Sequence, residues 1–322
     1  MNSLTRFLSM KGHVSSVRAE RLVIDRQIQP TWRSELVRIS ASLGAGHEAR
    51  ILLEAVSGTS FATLVLRLDE PIPPADLKKL ATLVTSRLDA VPLQHLVGHW
   101  PFRYVELLVD SRALIPRQET EEVVGVALAE LSRMREESKV IGAKERRLSA
   151  IDLGTGSGAI ACAIADEDDL VEIIAVDVAT EALALAAENT GRLQESARER
   201  IELLLGSWYE PLVSIEPGSV DCIISNPPYI DEDTWQHLAP VVRDHDPYSA
   251  LVSGPSGLED LETIIAGAPR FLRYKGVLIC EIGATQADAV RNLATRSGFR
   301  DVEVAQDLAG RDRILVARRP HG

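Results

Sequence analysis

No two cysteines in this sequence stand at C-x-x-C spacing. There are three in all, Cys162, Cys222 and Cys280, each among apolar or small residues. That speaks against a disulfide framework or a zinc site and suits free thiols buried in a reducing, cytoplasmic setting. No run approaches the ~20 apolar residues of a membrane span. The first thirty residues carry five basic residues and two acids, Glu20 and Asp25, with no cleavable apolar core behind them. A secretory signal is therefore not supported; a transit peptide stays open, and residues 1–29 are expected to be a disordered extension. Positive charge is also short. A net charge of −12 argues against affinity drawn mainly from duplex phosphates, which need clustered Lys and Arg. His95, His99, His237 and His245 show no metal-ligand spacing, so packing or surface roles are expected and no metal.

What is present is ordinary for a globular protein: 322 residues, 45% hydrophobic and 25% charged, enough for two domains. From Pro30 to Val91 the apolar residues recur at helical spacing. Leu36, Ile39 and Leu43 come first, then Ile51 and Leu52, then Leu77, Leu80, Leu83, Val84 and Leu88. Pro71, Pro73 and Pro74 suit the start of the last helix. A small helical domain is expected over 30–91, and a hairpin or irregular linker over 92–118. An α/β domain is expected over 119–322, opening with a helix from Glu119 to about Glu137 and an exposed loop after it. Beyond Ser149 short apolar runs alternate with helical patterns: AIDLG, EIIAVD, IELLLG, DCIIS and GVLICEIG. Such alternation implies a parallel sheet covered on both faces. The tail VEVAQDLAGRDRILVAR reads as two strands joined by a turn, an antiparallel edge pair.

Two motifs carry chemistry. Gly154, Thr155, Gly156, Ser157 and Gly158 run from the first of these strands into a helix, where glycine allows a tight turn and close approach of a ligand. Asp177 ends the next strand, where an acid takes ribose hydroxyls. The loop also satisfies the relaxed G-x-G-x-x-A dinucleotide form, so alone it indicates a nucleoside-containing ligand without choosing which. The second motif is Asn226-Pro227-Pro228-Tyr229. Two prolines fix φ and donate nothing to a ladder, making a rigid corner at the end of a strand. The Asn226 amide oxygen and the Pro227 carbonyl then form a pair of fixed acceptors, with the Tyr229 ring alongside. That arrangement suits a planar –NH2 group that must be oriented with its nitrogen exposed for reaction.

In this order the motifs resemble the HemK/PrmC family of class I S-adenosylmethionine methyltransferases, which methylate the side-chain nitrogen (N5) of the Gly-Gly-Gln glutamine in peptide chain release factors. The resemblance runs from about residue 30 to 319 and includes PLQHLVG, ALIPRQETEEVV, DPYSALVSGPSGLE and EIG with Gln286 following. It implies a Rossmann-like, mostly parallel seven-stranded sheet with an antiparallel edge strand, plus the N-terminal helical domain for substrate recognition. It implies that residues 154–158, Asp177, Trp208 and Asn226 bind the cofactor and that Asn226, Pro227, Pro228 and Tyr229 hold the substrate amide. Asn226, Pro227 and Tyr229 would then be catalytic. A release factor is the implied partner, with no membrane, no nucleic-acid substrate and a monomeric state expected. The sequence departs from the family at Gln118, where proline is usual, and at His95, where tyrosine is usual. The other readings are a glutamine methyltransferase of another protein, a DNA or RNA methyltransferase acting on adenine N6 or guanine N2, and a non-catalytic nucleotide-binding module.

Overall fold

Short helices capped by glycine build the first part of the chain. The computed structural model describes residues 29–140 and 146–320; the expected extension over 1–29 lies, but for Gln29, outside the described residues. The chain divides into two compact units between Val84 and Thr85.

The first unit holds α1 (Trp32–Leu43), α2 (Gly46–Ser57), the single turn α3 (Phe61–Leu64) and most of α4 (Pro74–Leu88). Thr31 starts α1 in a reciprocal capping box with Ser34, satisfying two otherwise orphaned amides. Gly44 and Gly58 end α1 and α2 at φ of 64° and 65°, the left-handed cap that glycine adopts without strain. The periodic residues Ile39, Leu52, Leu80 and Val84 are buried together with Leu53, Leu64 and Ile72.

The second unit begins with a turn of helix, α5 (Leu93–Val97), and a hairpin of β1 (His99–Phe102) and β2 (Val105–Leu108). The hairpin turns at Arg103, whose φ is 51°. Its guanidinium pairs with Glu167 and donates to the Glu121 carbonyl, which fixes the hairpin to the unit. α6 (Gln118–Val140) follows and runs past the expected end at Glu137. The charged stretch continues the helix because its charges pair within it, Arg133 with Glu137 and Lys139 with Glu136.

The alternating stretch then gives β3 (Leu148–Leu153), α7 (Ala159–Glu167), β4 (Val171–Asp177), α8 (Thr180–Thr190), α9 (Glu195–Arg198), β5 (Ile201–Leu205) and β6 (Val220–Ser225). After the short helices α10 (Glu232–Gln236) and α11 (Pro240–Arg243) come α12 (Glu259–Phe271), β7 (Leu272–Glu281), α13 (Ala287–Arg296), β8 (Asp301–Gln306) and β9 (Asp312–Arg318).

The seven strands order as β5-β4-β3-β6-β7-β9-β8. Pairings from β5 to β7 are parallel, while β9 runs against both β7 and β8. The tail thus forms the edge pair, and the strand opposed to the rest is β9, one place in from the edge. Successive side chains of each central strand enter opposite cores. Ala150, Cys222, Ile224, Val277 and Ile279 pack on the side of α6 and α7. Ile151, Ile223, Leu278 and Cys280 pack on the side of α12 and α13. The strand order reverses between β3 and β6, and in such sheets ligands bind beyond the carboxyl ends of the strands at that point.

Candidate functional site

A cavity of about 280 Å³ opens at this switch point. Gly154, Thr155, Gly156 and Ser157 after β3, Asp177 at the end of β4, Trp208 after β5, and Asn226 and Pro228 after β6 all line it. The carboxyl ends of four adjacent strands therefore bring both sequence motifs to one place. Gly158, Pro227 and Tyr229 do not line it. Gly158 caps the start of α7 at φ 82°, Pro227 is buried, and Tyr229 turns its hydroxyl inward to Glu281.

The glycine loop is held from three sides. The Gly154 and Thr155 amides donate to the Val176 carbonyl, each at 2.9 Å, and the Gly156 amide donates to Asp177 Oδ2 at 2.8 Å. Asn189 of α8, 1% exposed, donates to the Ser157 carbonyl at 2.9 Å and also bonds both backbone groups of Leu108. Gly154 and Gly156 have φ of 71° and 56°. A Cβ on Gly154 would come within 3.3 Å of the Trp208 ring. Trp208 itself has φ 45°, a left-handed backbone that a bulky residue rarely takes. The strain fits a ring held in place by its surroundings.

Two carboxyls underlie the loop. Asp152, fully buried, accepts from the Thr155 hydroxyl at 2.6 Å. Burial pushes its pKa up to about 7, with the neighbouring Asp177 charge adding to the effect and the Thr155 bond opposing it. Burial also raises the pKa of Asp177, against the amides of Ala179, Gly156 and Val178, which favour the ionised form. Asp177 thus presents a carboxylate, already oriented by two backbone amides, to the cavity.

The proline corner is stiffened by what surrounds it. Ser225 Oγ donates to the Leu153 carbonyl at 2.6 Å across β3 and β6. Gln286 Nε2 donates to the Tyr229 and Gly257 carbonyls at 3.0 and 2.9 Å, and Gln286 Oε1 accepts from the Gly283 amide. A Cβ at Gly257 would lie 2.7 Å from the Tyr229 carbonyl, so the close approach requires glycine there. Asn226 Nδ2 donates to Thr120 Oγ1 at 2.9 Å, and Thr120 Oγ1 donates to Glu281 Oε2 at 2.7 Å. The Tyr229 hydroxyl donates to Glu281 Oε1 at 3.2 Å.

Further lining comes from the segment 112–117 with Thr120 of α6 and from Pro247, Ser249 and Ala250. Gln118 stands exposed at the start of α6 and does not line the cavity. His95 is half-buried, with its charged form disfavoured mainly by burial. Thr120, Asp246 and Glu281 are the site residues that reading the sequence missed. A single acid closing the apolar run GVLICEIG was the available signal for Glu281, because a lone carboxyl at the end of a buried strand needs partners.

Comparison with known proteins agrees with this geometry. Residues 35–98 match the PrmC N-terminal domain family, and residues 139–240 match the methyltransferase small domain family. The chain is 43% identical to a release factor glutamine methyltransferase of Prochlorococcus marinus over 72% of its length and 75% of that protein. It is 37% identical to one from Cereibacter sphaeroides, covering 86% of this chain and 92% of the other. With the Bacillus subtilis protein of the same name it shares 34% identity, over 85% and 92%. Among solved structures, the hMettl16 catalytic domain, determined in complex with the MAT2A 3'UTR hairpin 6, superposes with a TM-score of 0.51. That match covers 77% of this chain and 82% of the other at 15% identity, a likeness of fold. The chain belongs to the release factor glutamine methyltransferase family.

Proposed function

We propose that this protein transfers a methyl group from S-adenosylmethionine to the side-chain amide nitrogen of the Gly-Gly-Gln glutamine in peptide chain release factors. The observation that carries the reading is the placement of Asn226 on the same cavity as the glycine loop and Asp177.

The residues present fit the cofactor. Gly154 and Gly156 at positive φ bring no side chain to the lining, and the Asp177 carboxylate faces the cavity as an acceptor for hydroxyl groups. The volume lies near the lower end of the range for small-molecule sites. Residues 154–157 and Asp177 would hold it, with Trp208 beside the base. When bound, the cofactor supplies an electrophilic methyl group on a sulfonium.

Everything else falls to the chain's own residues. A glutamine amide is a poor nucleophile because its nitrogen lone pair is delocalised into the carbonyl. Asn226 Oδ1 accepts from the amide –NH2 and turns its nitrogen toward the cavity. Orientation of this kind supplies several kcal/mol of the ~7–11 available from proximity. As the nitrogen gains positive charge its N–H groups become stronger donors, so the fixed acceptor binds the transition state more tightly than the ground state. Pro227 and Pro228 keep that acceptor from relaxing, and Tyr229 braces the corner through Glu281. The surplus proton leaves to water; no residue is required to take it.

Labelled cofactor, incubated with release factor, a version with the motif glutamine replaced by alanine, and total RNA and DNA, tests the proposal. Label entering the glutamine-bearing factor alone supports it. Label entering nucleic acid would leave the chemistry standing and overturn the substrate.

A further inference from the structure

An asparagine amide has nearly the same shape after a half-turn about its last bond, so packing cannot decide which end of Asn226 faces the cavity. The proposed function, on which this inference rests, needs the oxygen there. A flipped Asn226 would present –NH2 to the substrate –NH2, and donors would face donors. Something must choose, and the proton count around Glu281 does.

We infer that Thr120 and Glu281 are positioning residues that fix the orientation of the Asn226 amide through a one-way chain of hydrogen bonds. Glu281 ends β7, next to the strand that carries the corner, and is 1% exposed. When ionised, its carboxylate can only accept. One oxygen takes the single hydroxyl proton of Thr120 at 2.7 Å, and the other takes that of Tyr229 at 3.2 Å. With its proton committed, Thr120 Oγ1 offers only lone pairs to Asn226 at 2.9 Å, and Nδ2 is the end that satisfies them. Asn226 Oδ1 is thereby left for the cavity. With Glu281 ionised, each contact has one available donor and the chain has a single solution.

Burial pushes the Glu281 pKa up, and the charge of Glu119 adds to it. Thr120 of α6, Arg313 of β9 and Tyr229 after β6 oppose that shift and favour the ionised carboxylate, the form in which the chain runs in this direction. Arg313 donates to the Ile282 carbonyl at 2.7 Å, lies 5.8 Å from the Tyr229 ring centre and pairs with Asp307 at 3.7 Å. The competing role is purely structural, a buried threonine and glutamate satisfying each other.

Thr120→Val tests the difference. It keeps the shape and removes the hydroxyl, so Asn226 loses its orienting acceptor. The expected result is a fall in kcat on the order of ten- to a hundredfold, with cofactor Kd by calorimetry close to wild type and a melting temperature lowered by the Glu281 oxygen left without its partner. Thr120→Ser, which restores the hydroxyl, should recover most of the rate. Glu281→Leu should fall like Thr120→Val, and Glu281→Gln, which can still accept from Thr120, should retain more. Wild-type kcat in Thr120→Val, or no recovery in Thr120→Ser, would overturn the inference. Loss of cofactor affinity in proportion to rate would overturn it equally. Asn226→Ala, assayed in parallel, separates the two levels. If Asn226→Ala is inactive while Thr120→Val is not, only the positioning inference fails. If Asn226→Ala retains transfer, the reading beneath it fails too.

Discussion

Arg117 Nη2 lies 2.6 Å from Asp246 Oδ2 and joins two walls of the cavity. Arg117 belongs to the segment before α6, and Asp246 immediately precedes Pro247 and the stretch that adds Ser249 and Ala250 to the lining. The Asp246 side chain is 1% exposed; burial pushes its pKa up, opposed chiefly by Arg117. Asp246→Asn keeps the shape and discards the charge-assisted bond. A hydrogen bond to a charged group is worth about 1.5–3 kcal/mol. Cofactor Kd in calorimetry should rise roughly ten- to a hundredfold. Unchanged affinity would show that the wall holds without the pair.

Binding and chemistry should separate at the two motifs. Asp177→Ala removes the carboxylate that faces the cavity and should abolish measurable cofactor binding. Asn226→Ala should leave that binding within a few-fold and lower kcat by about 10²-fold or more, the scale for losing one oriented polar group at a reacting centre. Equilibrium dialysis and single-turnover transfer on the same preparations distinguish the two effects.

Two glycines of the loop should fail differently. Gly156 lines the cavity, and the nearest atom to an added Cβ is 3.9 Å away, so Gly156→Ala meets backbone strain with little collision. At Gly158 a Cβ would lie 3.2 Å from the Ala186 side chain and 3.3 Å from its Cα, with φ at 82°. Gly158→Ala should therefore lower the denaturation midpoint more than Gly156→Ala. Gly156→Ala should lower cofactor affinity relative to its stability loss, as paired denaturant titrations and calorimetry would show.

Asp152 makes the fold pH-sensitive. Its pKa of about 7 in the folded chain stands above the ~3.9 of an exposed aspartate. Folding thus favours the protonated form. Its stabilising contribution is complete below about pH 4 and is lost as pH rises toward 7, on the order of 4 kcal/mol across that window. Asp152→Asn should flatten this loss in urea titrations of the cofactor-free protein. An unaltered slope would place the titration elsewhere.

Much of this site was legible because its determinants are local. The glycine loop, the acid ending the following strand and the proline corner each declare a backbone shape within a few residues, and an α/β sheet converges such corners at one edge. The periodic residues Ile39, Leu52, Leu80 and Val84 were likewise readable as a core. Thr120 was not, because a threonine in the first turn of a helix looks like an ordinary start. Asp246 meets Arg117 across 129 positions, and no spacing rule reaches that far. The tail was readable as an antiparallel pair, yet its placement depends on β9 pairing with β7, a contact made only in the sheet.

The most direct test is to treat purified release factor with the protein and S-adenosylmethionine and then map the modified peptide by tandem mass spectrometry. The account predicts one added methyl group, on the side-chain amide of the Gly-Gly-Gln glutamine, formed at about a hundredth of the wild-type rate or less when Asn226→Ala replaces the wild type. A methyl group on any other residue, or transfer undiminished in Asn226→Ala, would contradict it.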